Sequence, residues 1–370
     1  MKKNRLYFIT AVLSAVSISM VGCNVNVNVN DNTKHEDTTE EPEYYDEGVD
    51  AVCEITGYND HTVDDGEYFL SEGDKVAVIS PSALPSRSQV DATIKGLEEW
   101  GFIPVEGQYA YAEVRTIDDI ISDFEWALKD PDIKAIFCVR GGYGASEIMD
   151  LTSLDMIKEA DKPIIGYSDI TIYHSAWTVS GLPSLHACMS GTFGDFPKDC
   201  KDAQLHMMMG EIPSYRCSTD TPMTEGEASG ILIGGNLSTF TAVLNTAYDC
   251  TNTDEPYILF VEEVGENIQH IHRYLTVLKH MGVLDRASGI VFGEWTELPA
   301  DGSGNFGNER GGKFESVADM ITKEFLADTD IPVAFDFPAG HGDVNYPLLM
   351  GAKVHLNVAD GSYTMEWGSE

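Results

Sequence analysis

The chain has 370 residues, with 61 acidic against 23 basic side chains and a formal net charge of −38. Phosphate binding needs clustered Lys and Arg, so this balance argues against a nucleic-acid partner and against electrostatic adhesion to anionic lipid. The length admits two ordinary domains and a sizeable core.

Lys2, Lys3 and Arg5 precede an apolar run from Leu6 to Met20, too short to span a bilayer comfortably. The run ends Met20-Val21-Gly22-Cys23, which resembles a bacterial lipobox although Met20 and Val21 depart from its usual residues. Residues 1–23 are therefore expected to be a lipoprotein signal peptide. Cys23 would carry the lipid and hold an exported protein on the outer face of the cell membrane; a plain secretory signal is the alternative. Residues 24–72 are expected to form an acidic, solvated tether, because low hydrophobicity with many like charges opposes packing. Besides Cys23 there are six cysteines, Cys53, Cys138, Cys188, Cys200, Cys217 and Cys250. Export permits disulfides, but fifteen connectivities are open to six cysteines and the sequence selects none. Cys138 and Cys188 lie in apolar stretches and read as buried side chains. No Cys-x-x-Cys and no His/Cys cluster of zinc spacing occurs, so neither a metal nor another cofactor is expected.

A first domain is expected over 73–191. Residues 74–80 read as a strand leaving into a Ser/Pro loop. Val90, Ile94, Leu97 and Trp100 then give helical spacing up to a Gly stop. A second strand at 102–105 and a helix with Ile120, Ile121, Phe124 and Leu128 on one face follow. The strand at 134–139 runs into Arg140-Gly141-Gly142-Tyr143-Gly144, and after a further helix the run Lys162 to Ile165 enters the turn Gly166-Tyr167-Ser168-Asp169. Alternating strands and helices predict a parallel sheet covered on both faces, with ligands meeting the carboxyl ends of its strands. The Ser80 loop, the Arg140–Gly144 loop and the Ser168 turn all leave from such ends.

Residues 192–227 loosen into an expected interdomain connection, and a second domain is expected over 228–370. Its strand 257–263 ends on Glu262 and Glu263, a long amphipathic helix spans 267–281, and another strand covers 289–293. Residues 301–313 read as a Gly-rich surface loop. Residues 333–337 form a strand running into the glycine-flanked His341, and two final strands are expected at 352–358 and 363–367.

Ser168, Glu262 and His341 thus share one setting, the place where an apolar strand gives way to a loop. A serine nucleophile needs a neutral imidazole to take its proton and a carboxylate to fix the tautomer. Each residue also has a plainer reading: a helix-capping Ser-Asp pair, a strand-end charge and a hydrogen-bonded loop histidine. The Arg140–Gly144 loop suits an anion or an oxyanion N–H but lacks the spacing of a P-loop. Arg140 itself reads as a structural ion-pair partner before a substrate-facing residue. His174 reads as a packing or surface residue, and His270 and His272 lack the spacing of a zinc helix.

Arg140-Gly-Gly-Tyr-Gly144, Gly166-Tyr-Ser-Asp169, Gly234-Gly-Asn-Leu237, Leu259-Phe-Val-Glu262-Glu-x-Gly-Glu266 and Gly340-His341 follow one another in an order that resembles the LD-carboxypeptidase family. These serine peptidases include muramoyltetrapeptide carboxypeptidases and the microcin C immunity hydrolases. The resemblance spans about 74–358 and implies Ser168 as nucleophile, His341 as base and Glu262 as orienting acid. It further implies a flavodoxin-like N-terminal α/β domain, a smaller β-rich C-terminal domain and a homodimer. The implied activity is hydrolysis of the LD bond before the terminal D-alanine of peptidoglycan stem tetrapeptides, with the N–H groups of Gly142 and Asp169 receiving the oxyanion. A peptidyl-nucleotide hydrolase is the alternative within the family, and a non-catalytic solute-binding lipoprotein the alternative outside it. His272-Arg273 departs from the family's usual Asp-Arg.

Overall fold

The computed structural model describes residues 44–60, 68–189, 196–299 and 314–368. Cys23, the signal segment, most of the tether and the 301–313 loop lie outside the described residues. Part of the expected tether is folded. Within it, β1 (Tyr44–Glu47) and β2 (Val52–Asp60) are strands. They add to the edges of a large sheet, where inter-strand backbone hydrogen bonds replace the side-chain burial that this acidic stretch lacks. β2 is further held by a disulfide between Cys53 and Cys217.

The first half alternates as expected. β3 (Lys75–Ile79) leads through a Ser/Pro loop to α1 (Arg87–Glu99). Ser86 and Gln89 close a capping box at the start of α1, each side chain accepting the other's backbone N–H. Then come β4 (Ile103–Glu106), α2 (Ile117–Lys129) and β5 (Ile133–Cys138). Two short helices, α3 (Ala145–Met149) and α4 (Leu154–Ala160), precede β6 (Ile164–Gly166). After β6 a single 3-10 turn, Ser168–Ile170, passes into α5 (Thr171–Val179), and β7 (Ser184–His186) follows. Along β3, Ala77 and Ile79 enter one apolar core while Val76 and Val78 enter the other, the period-2 signature of a sheet covered on both faces.

The segment expected to be an interdomain connection is ordered over its described part. It holds α6 (Lys198–Met208) and β8 (Glu211–Ser218), and β8 pairs with β2. The second half then provides β9 (Gly226–Asn236), α7 (Leu237–Thr241), β10 (Tyr257–Val264), α8 (Ile268–His280) and α9 (Val283–Arg286). It continues with β11 (Gly289–Pro299), α10 (Val317–Glu324), β12 (Val333–Ala334), β13 (Leu348–Met350), β14 (Lys353–Ala359) and β15 (Ser362–Trp367).

The first sheet has the order β4-β3-β5-β6-β7-β13. Its parallel part is the flavodoxin-like arrangement, in which the order of strand addition reverses between the parallel β3 and β5 and opens a crevice at their carboxyl ends. β13, from the far end of the chain, closes the β7 edge antiparallel. The second sheet runs β1-β11-β10-β9-β14-β15-β8-β2, with β12 paired to β11. The halves meet through α5, whose Thr171 hydroxyl accepts the Asn236 N–H at 3.0 Å. A Cβ on Gly235 would stand 2.4 Å from that hydroxyl, so only glycine permits the approach.

Candidate active site

Ser168 stands two residues past the end of β6 and has φ of 64°. A non-glycine residue in the left-handed region carries backbone strain, and a sharp strand-to-helix turn is where such strain presents a hydroxyl away from the chain. Surrounding contacts hold the turn. The buried Asp169 carboxylate accepts the Ser82 hydroxyl from the loop after β3 and, at 2.9 Å, the Ala145 N–H that ends the glycine loop after β5. All three loops expected at the carboxyl edge therefore converge on one residue.

The glycine loop lies against the serine. A Cβ on Gly141 would stand 2.8 Å from Ser168 Cβ, 3.0 Å from Oγ and 3.2 Å from Asp169 N. The Gly141 carbonyl accepts the Ala83 N–H at 3.3 Å. Since C=O and N–H of a trans peptide point opposite ways, that bond turns the Gly142 N–H away from the Ala83 loop.

Glu262 and His341 come from the second half. Between β10 and β11 the register shifts after Val261, so Glu262 faces Gly293 and Glu294 across a bulge. Bulges re-aim side chains beside functional sites. Here the bulge sets Glu262 Cβ 3.0 Å from where a Gly293 Cβ would be. The fully buried Glu262 carboxylate bonds His341 Nδ1 at 2.8 Å through Oε2, while Oε1 has no partner among the described residues. Burial lowers the His341 pKa, but the charge and hydrogen bond of Glu262 outweigh it, so the imidazole titrates above its usual value. The ring packs on Tyr167, centroids 4.9 Å apart. With Nδ1 engaged, Nε2 is the nitrogen left for a proton from the cavity. Ser168, His341, Gly141, Gly142 and Arg140 line one cavity of about 350 Å³.

Other groups support this arrangement. Glu263 turns the opposite way from its neighbour and accepts from Asn236 Nδ2 at 2.8 Å and Ser238 N at 2.7 Å. Burial and the Glu262 charge push it up to about 7. Glu294, to which no role was assigned from the sequence, is buried and accepts the Gly342 N–H at 3.1 Å. Burial pushes its pKa up to about 8. Asn345 Oδ1 accepts the Gly340 N–H at 3.2 Å, so the backbone on both sides of His341 is tied down. The available signal for Glu294 is a single carboxylate inside the apolar run 289–295.

His174 is a satisfied core histidine, bonding Ser184 Oγ at 2.9 Å and the Gly166 carbonyl at 3.0 Å, and burial takes it down to about 4. His270 pairs with Glu266 on the surface of α8. Cys138, Cys188, Cys200 and Cys250 are free, buried thiols. Arg140 does not make the expected structural ion pair: among the described residues the ion-paired arginine is Arg87.

Sequence comparison decides the family. The LD-carboxypeptidase N-terminal domain matches residues 76–187 and the LD-carboxypeptidase C-terminal domain residues 229–356. The chain belongs to the LD-carboxypeptidase family. Relatives include a murein peptide carboxypeptidase of Bacillus subtilis, 28% identical over 81% of this chain and 93% of its own. The murein tetrapeptide carboxypeptidase of Pseudomonas aeruginosa is 25% identical over 73% and 89%. The microcin C7 self-immunity protein MccF of Escherichia coli is 23% identical over 78% and 92%. Among solved structures, muramoyltetrapeptide carboxypeptidase from Oxalobacter formigenes superposes with a TM-score of 0.70 at 22% identity, covering 80% of this chain and 99% of that one. That likeness extends the two-domain fold to this member of the family.

Proposed function

We propose that this protein is a serine-type LD-carboxypeptidase that removes the terminal D-alanine from peptidoglycan stem tetrapeptides. One observation carries the reading: a serine on a strained turn and a histidine bonded to a buried glutamate, drawn from opposite halves of the chain, line the same cavity. Ser168 Oγ attacks the scissile carbonyl and its proton passes to His341 Nε2. The new C–O bond leaves a tetrahedral oxyanion, which the N–H groups of Asp169 and Gly142 receive. Glu262 holds the imidazole in the tautomer that leaves Nε2 free and stabilises the imidazolium that forms. The C–N bond then breaks as His341 gives its proton to the leaving amine. Water, deprotonated by the same imidazole, hydrolyses the acyl-serine and restores the enzyme.

The murein substrate is the one named for relatives in Bacillus subtilis and Pseudomonas aeruginosa. Export and lipid anchoring through Cys23 belong to the same proposal. Their support is the basic and apolar leader and the Cys53–Cys217 disulfide, a bond that persists in oxidising compartments. A homodimer is proposed on the resemblance to the family alone.

The test is mass spectrometry of tetrapeptide muropeptides incubated with the wild type and with Ser168→Ala. Release of D-alanine by the wild type and its loss in the variant is the expected result. Full hydrolysis by Ser168→Ala overturns the assignment of the nucleophile. Turnover of an adenylated peptide without release of D-alanine moves the substrate to the peptidyl-nucleotide class.

A further inference from the structure

Arg140 ends the strand that feeds the glycine loop. Nη1 donates to the Leu84 carbonyl at 3.2 Å, and among the described residues Arg140 forms no ion pair. A guanidinium has five N–H donors in a flat fork that matches a carboxylate, so most of its capacity is uncommitted. Its Nε lies 4.0 Å from where a Cβ on Gly142 would be, which sets the group against the peptide that faces the cavity. Of the nine described residues lining that cavity, Arg140 alone carries a fixed charge.

Two physical facts bear on what this cation meets. The chain carries a net charge of −38, a field that repels anionic peptides, so a substrate with free carboxylates needs a local positive group where it binds. A carboxypeptidase must also recognise a carboxylate one residue beyond the scissile carbonyl, and consecutive Cα atoms are about 3.8 Å apart. Arg140 immediately precedes Gly141, the residue packed on Ser168, and lines the same cavity as the nucleophile.

We infer that Arg140 is the specificity residue that binds the free terminal carboxylate of the peptide and so confines cleavage to the last residue. The inference rests on the proposed carboxypeptidase reading and names the part of the cavity that makes the enzyme an exopeptidase. The contact is charge-assisted and bidentate, and because Arg140 is solvent-exposed its effect is moderate, roughly 10- to 100-fold in kcat/KM. Stem peptides carry internal carboxylates of the same chemistry, and the substrates below separate the two sources.

The experiment compares three tetrapeptides: the free acid, the same peptide amidated at its C-terminus, and one amidated only at an internal carboxylate. Each is assayed with the wild type, Arg140→Gln and Arg140→Lys. The wild type is expected to favour the free acid over the terminal amide and to accept the internal amide as it does the acid. In Arg140→Gln the acid-to-amide ratio should fall towards one, mostly through KM, and Arg140→Lys should restore part of it. An unchanged ratio in Arg140→Gln overturns the inference, as does an equal loss on all three substrates or a ratio that follows the internal carboxylate. If the wild type cleaves none of them, the carboxypeptidase reading fails separately. Calorimetric binding of acid and terminal amide to Ser168→Ala, with and without Arg140→Gln, then reads Arg140 alone, and equal binding of the two peptides overturns it.

Discussion

Gly141 lies so close to Ser168 that a methyl group on it would stand 2.8 Å from the serine Cβ and 3.0 Å from its hydroxyl. Neither neighbour can move freely, since Ser168 sits in a strained turn and Gly141 is bonded to the Ala83 loop. Gly141→Ala should therefore displace the hydroxyl and lower kcat by about 10²-fold or more, the cost of a misplacement near 1 Å. The measurement is single-turnover release of D-alanine, beside a melting curve to show that the variant is folded.

Strain at Ser168 makes a second prediction. A residue at φ 64° is disfavoured unless it is glycine. Both Ser168→Ala and Ser168→Gly should be inactive, but the glycine variant should be the more stable by about 1 kcal/mol, because alanine keeps the Cβ that opposes the turn. Chemical denaturation of the two variants checks this, and equal stability would show that the turn stores no strain.

The pairing of Glu262 with His341 sets the pH dependence. His341 must be neutral to accept the serine proton, and its pKa lies above the usual 6.5 because Glu262 outweighs burial. The acid limb of kcat/KM should therefore have its midpoint above 6.5. Glu262→Gln removes the raising charge and leaves the burial, so the limb should move to lower pH while kcat falls roughly 10³- to 10⁴-fold. A limb that stays in place would detach Glu262 from the titration.

Glu294 makes the fold itself sensitive to pH. Its pKa rises from 4.5 to about 8 on folding, chiefly through burial. Between those values the native state holds a proton that the unfolded state has released, so stability falls as pH rises from about 4.5 to about 8. Glu294→Gln removes this contribution. The variant should gain in melting temperature relative to the wild type as pH is raised from 5 to 8.5, and a constant difference between the two would contradict the assignment.

The N-terminal strands give the last prediction. A chain beginning at residue 44 keeps β1, β2 and the Cys53–Cys217 bond, whereas one beginning at residue 72 loses all three. Loss of such a disulfide costs about 2–4 kcal/mol, before any loss of strand pairing. Truncation to residue 72 should therefore lower the denaturation midpoint, and truncation to residue 44 should not. A reducing agent should reproduce part of the first effect in the full chain.

Much of the active-site half was readable because its signals are local. Strand and helix alternate with clear periods from Lys75 to Val179, and Ser168, Glu262 and His341 each follow an apolar run. What escaped depends on partners distant in sequence. β1 and β2 are acidic and largely exposed, so nothing in their pattern separates an edge strand from a solvated tether until β11 and β8 are there to pair with. β7 and β13 have three residues each, too few to show a period. The apolar run around Glu294 hints at its burial but not at its partner, because the Gly342 N–H belongs to a loop 48 positions away.

The pairing of β13 with β7 also bears on how the family's halves can be recombined. The matched N-terminal domain ends at residue 187, yet the strand that covers its last edge is Leu348–Met350. A fragment cut in the linker between the halves would expose β7 as an open edge, a template for intermolecular pairing. Chimaeras that graft a new substrate half onto this serine must carry residues 346–350 across with it. The seam for exchange is therefore a pair of cuts, and the two halves are threaded through one another as well as laid side by side.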